Sequence, residues 1–225
     1  MINIPTISHV IMAALIFNFS GPVSATSAPL KKSIKIVAFG DSLTAGYGLP
    51  RKAAFPIQLE KKLKALGKSV SVSNAGISGD TASGGLARLD WAIPKGTNAV
   101  ILELGANDAL RGVSPAVTRR SLDKIMSRLK ARSINVLITG MIAPQGMGDK
   151  YGMAFNSIYP DLAKKYDALY YPFFLRGVAL DPKLNQPDGI HPTAKGVAVI
   201  VENIAPSVMK LIELARNRPQ KTSTN

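Results

Sequence analysis

The sequence predicts an α/β fold, a three-layer α/β/α sandwich in which helices cover both faces of a doubly wound parallel sheet of about five strands. Short apolar runs alternate along the chain with longer segments whose apolar residues recur every three or four positions. Nearly continuous apolar runs are typical of parallel strands that are covered on both faces. Polar and glycine-rich segments follow the first three runs, where such folds place their sites.

The predicted elements follow one another with short connections. The strands are predicted over residues 34–39, 69–73, 99–104, 135–139 and 168–171. The helices are predicted over residues 54–66, 84–91, 115–132 and 151–166, with a last one from about residue 193 to residue 215. In this last helix the apolar residues repeat at intervals of three and four, as on one buried face.

The N-terminal segment is typical of an export signal. Residues 10–19 are an apolar run too short to span a bilayer as a helix, and Val23-Ser24-Ala25 fits the small-x-small rule for signal peptidase. One feature departs from the pattern, because no Lys or Arg precedes the apolar run. We predict a signal peptide over residues 1–25, one folded domain over residues 26–215 and a disordered tail over residues 216–225. The mature protein would then be periplasmic or secreted; an uncleaved anchor or a misassigned start are the alternatives.

Charge and cysteine content limit the classes of function. The formal net charge of +14 at pH 7 favours peripheral contact with anionic membrane surfaces. The basic residues are scattered rather than interleaved with aromatic residues, so specific nucleic-acid recognition is not expected. The chain has no cysteine, which excludes disulfides and thiolate chemistry. With one histidine outside the leader, we expect no metal site, and no cofactor is implied.

Polar residues follow each of the first three predicted strands. Ser42 follows strand one in the run Gly40-Asp41-Ser42-Leu43, which alone is also an ordinary turn or helix-cap sequence. Gly79, after strand two, can present its N–H to an oxyanion without a side chain in the way. Asn107, after strand three, offers a side-chain amide donor. We expect these segments to converge on one crevice at the carboxyl ends of the strands.

The segment Asp188-Gly189-Ile190-His191-Pro192 contains the only histidine outside the predicted leader. Gly189 permits a tight turn that lets the carboxylate and the imidazole point the same way. The carboxylate can then accept from one ring nitrogen, which leaves the other free to take a proton from Ser42. The alternative is an Asp-capped turn before the last helix, with a merely exposed histidine.

Together these four segments resemble the SGNH, or GDSL-type, hydrolase superfamily, and more narrowly the bacterial acyl-CoA thioesterase I, arylesterase and lysophospholipase group. The resemblance covers most of the chain beyond the leader and implies a flavodoxin-like SGNH hydrolase fold. It implies that Ser42 is the nucleophile, His191 the base and Asp188 its orienting acid. It also implies an oxyanion hole formed by the Ser42 N–H, Gly79 and Asn107.

Other residues receive supporting roles. Asp41 and Asp108 are interpreted as structural, holding loops through backbone hydrogen bonds. The loop of residues 141–150 is a candidate cover for an acyl chain. Met141, Met147, Phe173 and Phe174 are candidates for an apolar pocket, although such residues are more often plain core.

The expected activity is hydrolysis of carboxylic ester or thioester bonds through an acyl-enzyme on Ser42. The expected partner is a small-molecule or lipid ester, and the expected state is a monomer. Two alternatives remain open at this point. One is a carbohydrate O-acetylesterase, and the other is a non-catalytic cationic protein that binds surfaces and keeps the same fold.

Overall fold

A five-stranded parallel sheet lies at the centre of the computed structural model, which describes Met1 and residues 33–218. Its strands are β1 (Ile34–Gly40), β2 (Val70–Gly76), β3 (Ala99–Glu103), β4 (Asn135–Thr139) and β5 (Leu169–Tyr171). They lie in the order β2-β1-β3-β4-β5, and every neighbouring pair is parallel. This is the flavodoxin-like order, so the predicted fold class is confirmed.

Burial along the strands follows their place in the sheet. Every residue of the central strand β3 is buried, whereas the last four residues of the edge strand β2 are partly or fully exposed. A central strand has helices on both faces and strands on both sides, so Val, Ile and Leu are favoured at consecutive positions. The continuous apolar runs of the sequence therefore mark the centre of the sheet.

Helices form the two outer layers of the sandwich. They are α1 (Ser42–Ala45), α2 (Phe55–Ala65), α3 (Ala82–Ala92), α4 (Ala106–Leu110), α5 (Pro115–Ala131), α6 (Asp149–Asn156), α7 (Ile158–Tyr166) and α8 (Ala194–Asn217). Helix α2 packs beside α8 on one face of the sheet, while α5 packs beside α3 and α7 on the other. The apolar stripe of α8, which includes Val197, Ile200, Ile204, Val208 and Leu211, is buried as predicted.

The structure corrects several predicted boundaries. The helix predicted over residues 151–166 is two helices, α6 and α7, which meet at Ser157. Pro160 explains the break, since it has no N–H to donate to the carbonyl four residues earlier. Strand β2 continues to Gly76 because it stays in register with β1. The short helices α1 and α4 are absent from the sequence-based prediction.

The two predicted chain ends lie almost wholly outside the described residues. By their internal contacts, the residues divide into two units, Met1–Leu30 and Lys31–Asn225. All the elements above belong to the second unit. Apart from Met1, the predicted signal peptide is not described. Helix α8 ends at Asn217, two residues into the predicted tail, and residues 219–225 are not described. None of the helices in residues 33–218 combines the length and the hydrophobicity that a membrane span requires.

Candidate active site

The first three strands end at the same level of the sheet. Gly40, the last residue of β1, pairs with Gly76 of β2 on one side and with Glu103 of β3 on the other. The chain segments that follow these strands therefore leave the sheet side by side. An added Cβ at Gly40 would come within 2.5 Å of the Glu103 carbonyl oxygen, so this close approach requires glycine.

Ser42 is the first residue of α1, directly after this edge. The carboxylate of Asp41 caps the helix by accepting a hydrogen bond from the Leu43 N–H at 3.0 Å. Ser42 is nearly buried, with 9% of its surface exposed. The sharp exit from the strand and the cap together hold the serine hydroxyl at the floor of a crevice.

The predicted serine, histidine and aspartate come together in this crevice. The Ser42 Oγ lies 2.9 Å from His191 Nε2, and His191 Nδ1 lies 2.7 Å from Asp188 Oδ2. Both distances are within normal hydrogen-bonding range. The two ring nitrogens of one imidazole therefore connect a hydroxyl and a carboxylate that are far apart in the sequence.

A tight turn orients Asp188 toward the imidazole. Gly189 has a φ of +69°, a left-handed conformation that favours glycine. Asp188 Oδ1 accepts from the backbone N–H groups of Ile190 at 2.9 Å and His191 at 3.0 Å. The His191 backbone bond, followed by the His191 side-chain bond and the Ile190 bond, lowers the pKa of Asp188 to about 2. Asp188 is therefore an anion at neutral pH.

Two residues that the sequence reasoning did not assign hold the histidine segment in place. The ring of Tyr47 packs against the His191 imidazole, with 4.5 Å between the ring centroids. Gln186 donates from its backbone N–H to the His191 carbonyl and from its side chain to the carbonyls of Tyr47 and Pro192. Nothing in the local sequence pattern pointed to Tyr47 or Gln186, because their partners lie in other segments.

The loop after β2 carries Gly79, whose φ of +85° favours glycine. The guanidinium of Arg111 donates to the Gly79 carbonyl at 2.9 Å and so sets the orientation of the peptide group that follows Gly79. Asn107, in α4, donates its side-chain amide to Asp41 Oδ2 at 3.1 Å and to the Asp80 carbonyl at 3.0 Å. The amide of Asn107 therefore lies between the Ser42 and Gly79 segments.

Arg88 connects the ends of β1 and β2 to the loop that follows β2. It is buried in α3 and forms an ion pair with Asp80. It also donates to the carbonyls of Gly40 and Ala75, the latter at 2.8 Å. An arginine among the apolar residues of the buried face of α3 is a sequence signal for this role, but no role was predicted for Arg88.

Two buried carboxyl groups lie beneath the serine. Glu103 accepts from the Thr44 hydroxyl at 2.7 Å and from the Asp41 N–H at 3.3 Å, and its other oxygen, Oε1, has no hydrogen-bond partner among the described residues. Burial, and then the charge of Asp41, raise the pKa of Glu103 well above its usual range. Burial also raises the pKa of Asp41 to about 6. Burial therefore favours the protonated, neutral form of Glu103 relative to an exposed carboxyl group.

Asp41 and Asp108 both accept the backbone hydrogen bonds that were predicted for them. Asp41 accepts from the Leu43 N–H, as described above. Asp108 accepts from the Ala82 N–H at 2.8 Å and from the Thr118 hydroxyl at 2.9 Å. Asp108 thereby joins α4 to the start of α3 and to α5.

An apolar cavity of about 400 Å³ opens beside Ser42 and His191. Met141, Ile142 and Pro144, from the predicted covering loop, line it together with Phe173. Other lining side chains include Leu43, Leu110, Leu175, Leu180 and Ile190. A space of this size with mainly hydrophobic walls is typical of a small-molecule site.

Two of the pocket candidates lie elsewhere. Phe174 is fully buried and packs edge-to-face on Phe55, with 5.0 Å between the centroids, so it belongs to the core. Met147 is half-buried on the side of Gly112 and does not line the cavity. Adjacent residues in an irregular segment face different ways, which a sequence pattern does not reveal.

Comparison with known proteins places the chain among ester hydrolases. Residues 38–199 match the GDSL-like Lipase/Acylhydrolase family. An arylesterase of Vibrio mimicus is 38% identical over 185 residues, which cover 82% of this chain and 92% of that protein. Thioesterase 1/protease 1/lysophospholipase L1 of Escherichia coli K12 is 39% identical over 178 residues, covering 79% and 84%. The solved structure of AlinE4, an SGNH-hydrolase family esterase, aligns with a TM-score of 0.69 and 46% identity over 80% of this chain and 97% of that one.

Proposed function

Because this chain belongs to the GDSL-like lipase/acylhydrolase family and is a carboxylic ester hydrolase, we propose that it works through an acyl-enzyme on Ser42. The observation that carries this proposal is the continuous hydrogen-bonded path from the Ser42 hydroxyl through His191 to Asp188. A serine hydroxyl is a weak nucleophile on its own and needs an adjacent base to take its proton. The 2.9 Å contact supports His191 Nε2 as that base.

The reaction follows from these contacts. Ser42 Oγ attacks the ester carbonyl while His191 Nε2 takes its proton, and Asp188 stabilises the imidazolium that forms. The tetrahedral intermediate collapses when His191 returns the proton to the leaving alcohol or thiol, which leaves the acyl group on Ser42. Water then attacks the acyl-enzyme, with His191 acting as base again, and the carboxylic acid is released.

The oxyanion of the intermediate needs preorganised donors on the opposite side of Ser42. We assign this role to the Ser42 N–H, the Gly79 N–H and the side-chain amide of Asn107. The Arg111 bond to the Gly79 carbonyl supports the assignment, since it restrains the loop that would carry one donor. The oxyanion would compete with Asp41 for the hydrogen bond that the Asn107 amide donates. Protonation of Asp41 would weaken its hold on that amide and so favour the oxyanion.

The cavity supports esters of apolar acyl chains as the substrate class. Its walls are mainly aliphatic, and they begin at Ser42 and His191 themselves. Such walls suit an acyl chain better than the many hydroxyl groups of a sugar. The cavity therefore favours a lipid or aryl esterase over a carbohydrate O-acetylesterase. The non-catalytic alternative leaves the three aligned groups without a purpose. All of them come from one chain, so a monomer is sufficient for the chemistry.

A fluorophosphonate probe tests the proposed nucleophile. We expect the purified protein to become labelled and the Ser42→Ala variant to remain unlabelled and inactive on p-nitrophenyl esters. Ser127→Ala, which changes an exposed serine in the middle of α5, is the matched control and should label normally. Labelling of folded Ser42→Ala, or no labelling of folded wild type, would refute the proposal.

A substrate panel tests the acyl-chain assignment separately. p-Nitrophenyl esters of increasing chain length would be compared with acetylated sugars, using the same purified protein. We expect kcat/KM to rise from the acetyl ester to chains that fill the cavity. Activity confined to acetylated sugars would instead establish the carbohydrate O-acetylesterase.

We also propose that the protein acts outside the cytoplasm after removal of residues 1–25. The support is the apolar run followed by Val23-Ser24-Ala25, in a part of the chain that the structure does not describe. N-terminal sequencing of the protein from a periplasmic fraction should find Thr26 as the first residue. A protein that keeps Met1 and stays in the cytoplasmic fraction would contradict export.

A further inference from the structure

Apolar side chains are concentrated at the mouth of the active-site cavity. Among the described residues, eleven large apolar side chains are exposed, and four of them line this one cavity. These four, which we call the apolar rim, are Leu110, Ile142, Leu180 and Ile190, with exposed fractions of 53%, 53%, 88% and 45%. They come from four separate segments of the chain. Scattered single apolar residues are ordinary on a surface, but a cluster around an opening marks a site of contact.

Leu180 is held in this exposed position against its conformational preference. Its φ is +67°, in the left-handed region that is unfavourable for leucine. With 88% of its surface exposed, its side chain gains little from packing within the chain. A strained residue that the core does not explain is a reason to look for a function at that position.

Three basic residues lie close in the sequence to residues that line the cavity, and one carboxylate, Asp181, directly follows Leu180. Arg111 follows Leu110, Arg176 follows the cavity-lining Leu175, and Lys183 lies three residues after Leu180; all three are exposed. None of the three forms an ion pair with a described residue. Exposed apolar side chains bordered by cations are complementary to a bilayer whose headgroups are anionic and whose interior is apolar.

We propose that the apolar rim inserts into the surface of an anionic phospholipid bilayer, so that the cavity opens directly onto the lipid. Arg111, Arg176 and Lys183 then lie at the level of the headgroups. This deepens the proposed function, on which it rests, since it makes an acyl lipid in a membrane the substrate. An acyl chain would pass from the bilayer into the cavity without crossing water, and its ester would arrive beside Ser42.

Vesicle binding by catalytically inactive protein tests the insertion without any turnover. In a Ser42→Ala background, sedimentation would be compared on vesicles of phosphatidylcholine with phosphatidylglycerol and on phosphatidylcholine alone. We expect binding to the anionic vesicles, and a loss of about tenfold or more in affinity on adding Leu180→Asn, because one buried leucine is removed from the bilayer. Asparagine tolerates a positive φ, so this variant should be at least as stable to heat as its parent. The control is Trp91→Asn, which changes a residue that is 70% exposed and lies near the C-terminal end of α3. This variant should bind vesicles like its parent.

Tryptophan fluorescence gives a second readout of which face inserts. Trp91 is the single tryptophan of the chain, and its emission should not shift when anionic vesicles are added. After Trp91→Phe, the tryptophan introduced by Ile142→Trp should shift to the blue on the same vesicles.

Three results would overturn the proposal. They are vesicle affinity unchanged by Leu180→Asn, a blue shift of Trp91 in the otherwise unmodified protein, and no binding to anionic vesicles. None of these results affects fluorophosphonate labelling of the wild type. Failure of the membrane-insertion proposal is therefore distinguishable from failure of the esterase mechanism.

Discussion

At the scale of single residues, short contacts determine what each group in the site can do. The Ser42 hydroxyl, the His191 imidazole and the Asp188 carboxylate are joined by two hydrogen bonds of 2.9 and 2.7 Å. The groups around them hold these atoms in place rather than react. Tyr47 covers one face of the imidazole, and Arg111 restrains the Gly79 loop.

Asn107 provides a prediction at this scale. Asn107→Ala removes one of the proposed oxyanion donors, so we expect kcat on a p-nitrophenyl ester to fall about 100- to 1,000-fold, with little change in KM. Asn203→Ala, which removes an exposed amide that donates to the Arg176 carbonyl, is the control and should keep normal kcat. A decrease smaller than about tenfold in kcat would assign Asn107 a structural role only.

At the scale of elements, the start of α8 positions the histidine. Thr193 caps this helix by accepting from the Gly196 N–H, and Thr193 itself follows His191 by two residues. Gly196 packs so closely on the preceding segment that an added Cβ would lie 2.1 Å from the Leu184 carbonyl oxygen. The helix end and the His191 segment are therefore packed as one unit.

Two glycine substitutions separate packing from helix propensity. Gly152, in α6, has no heavy atom within 4 Å of an added Cβ, so Gly152→Ala should raise the free energy of unfolding by about 0.5–1 kcal/mol. Gly196→Ala gains the same propensity but clashes with backbone, so it should lower stability by about 1–3 kcal/mol and also lower kcat. Urea unfolding and ester hydrolysis measure these effects. Equal stabilisation by both substitutions would show that the Leu184 contact does not constrain α8.

At the scale of the whole molecule, buried carboxyl groups make stability depend on pH. Burial raises the folded pKa of Asp41 to about 6 and raises that of Glu103 well above its usual range. Such groups favour the folded state most below their unfolded pKa near 4, and this contribution is lost as the pH rises through the folded pKa. The lowered pKa of Asp188 acts in the opposite sense, but only between about pH 4 and 2. From pH 4 to 7 the carboxyl pair therefore lowers stability as the pH rises.

Glu103→Gln tests this dependence. The amide keeps an oxygen for Thr44 and the Asp41 N–H but cannot ionise. We expect the fall in unfolding free energy between pH 4 and 7 to be smaller in this variant than in wild type, as measured by urea unfolding at several pH values. Glu213→Gln, at an exposed position of α8, should behave like wild type. An unchanged slope in Glu103→Gln would mean that folding does not raise the pKa of Glu103.

Local patterns predicted the strands and most helices because side-chain periodicity follows burial directly. The apolar run of β3 and the stripe of α8 are examples. The break at Ser157, by contrast, depended on a single proline whose effect the apolar spacing of residues 151–166 concealed. Tyr47 and Gln186 were missed for a related reason, since their contacts join segments that are far apart in the chain.

The sequence by itself determined the chemical groups and the order in which they occur: a serine after the first strand, an amide after the third, and one aspartate–histidine turn before the last helix. Only the tertiary structure decided that Ser42 and His191, 149 residues apart, lie within a hydrogen bond of each other, and that an apolar cavity with an exposed rim opens beside them. Periodicity reports which side of an element is buried. The distances between elements depend instead on how helices pack against the sheet and how irregular loops fold back, and neither has a local pattern.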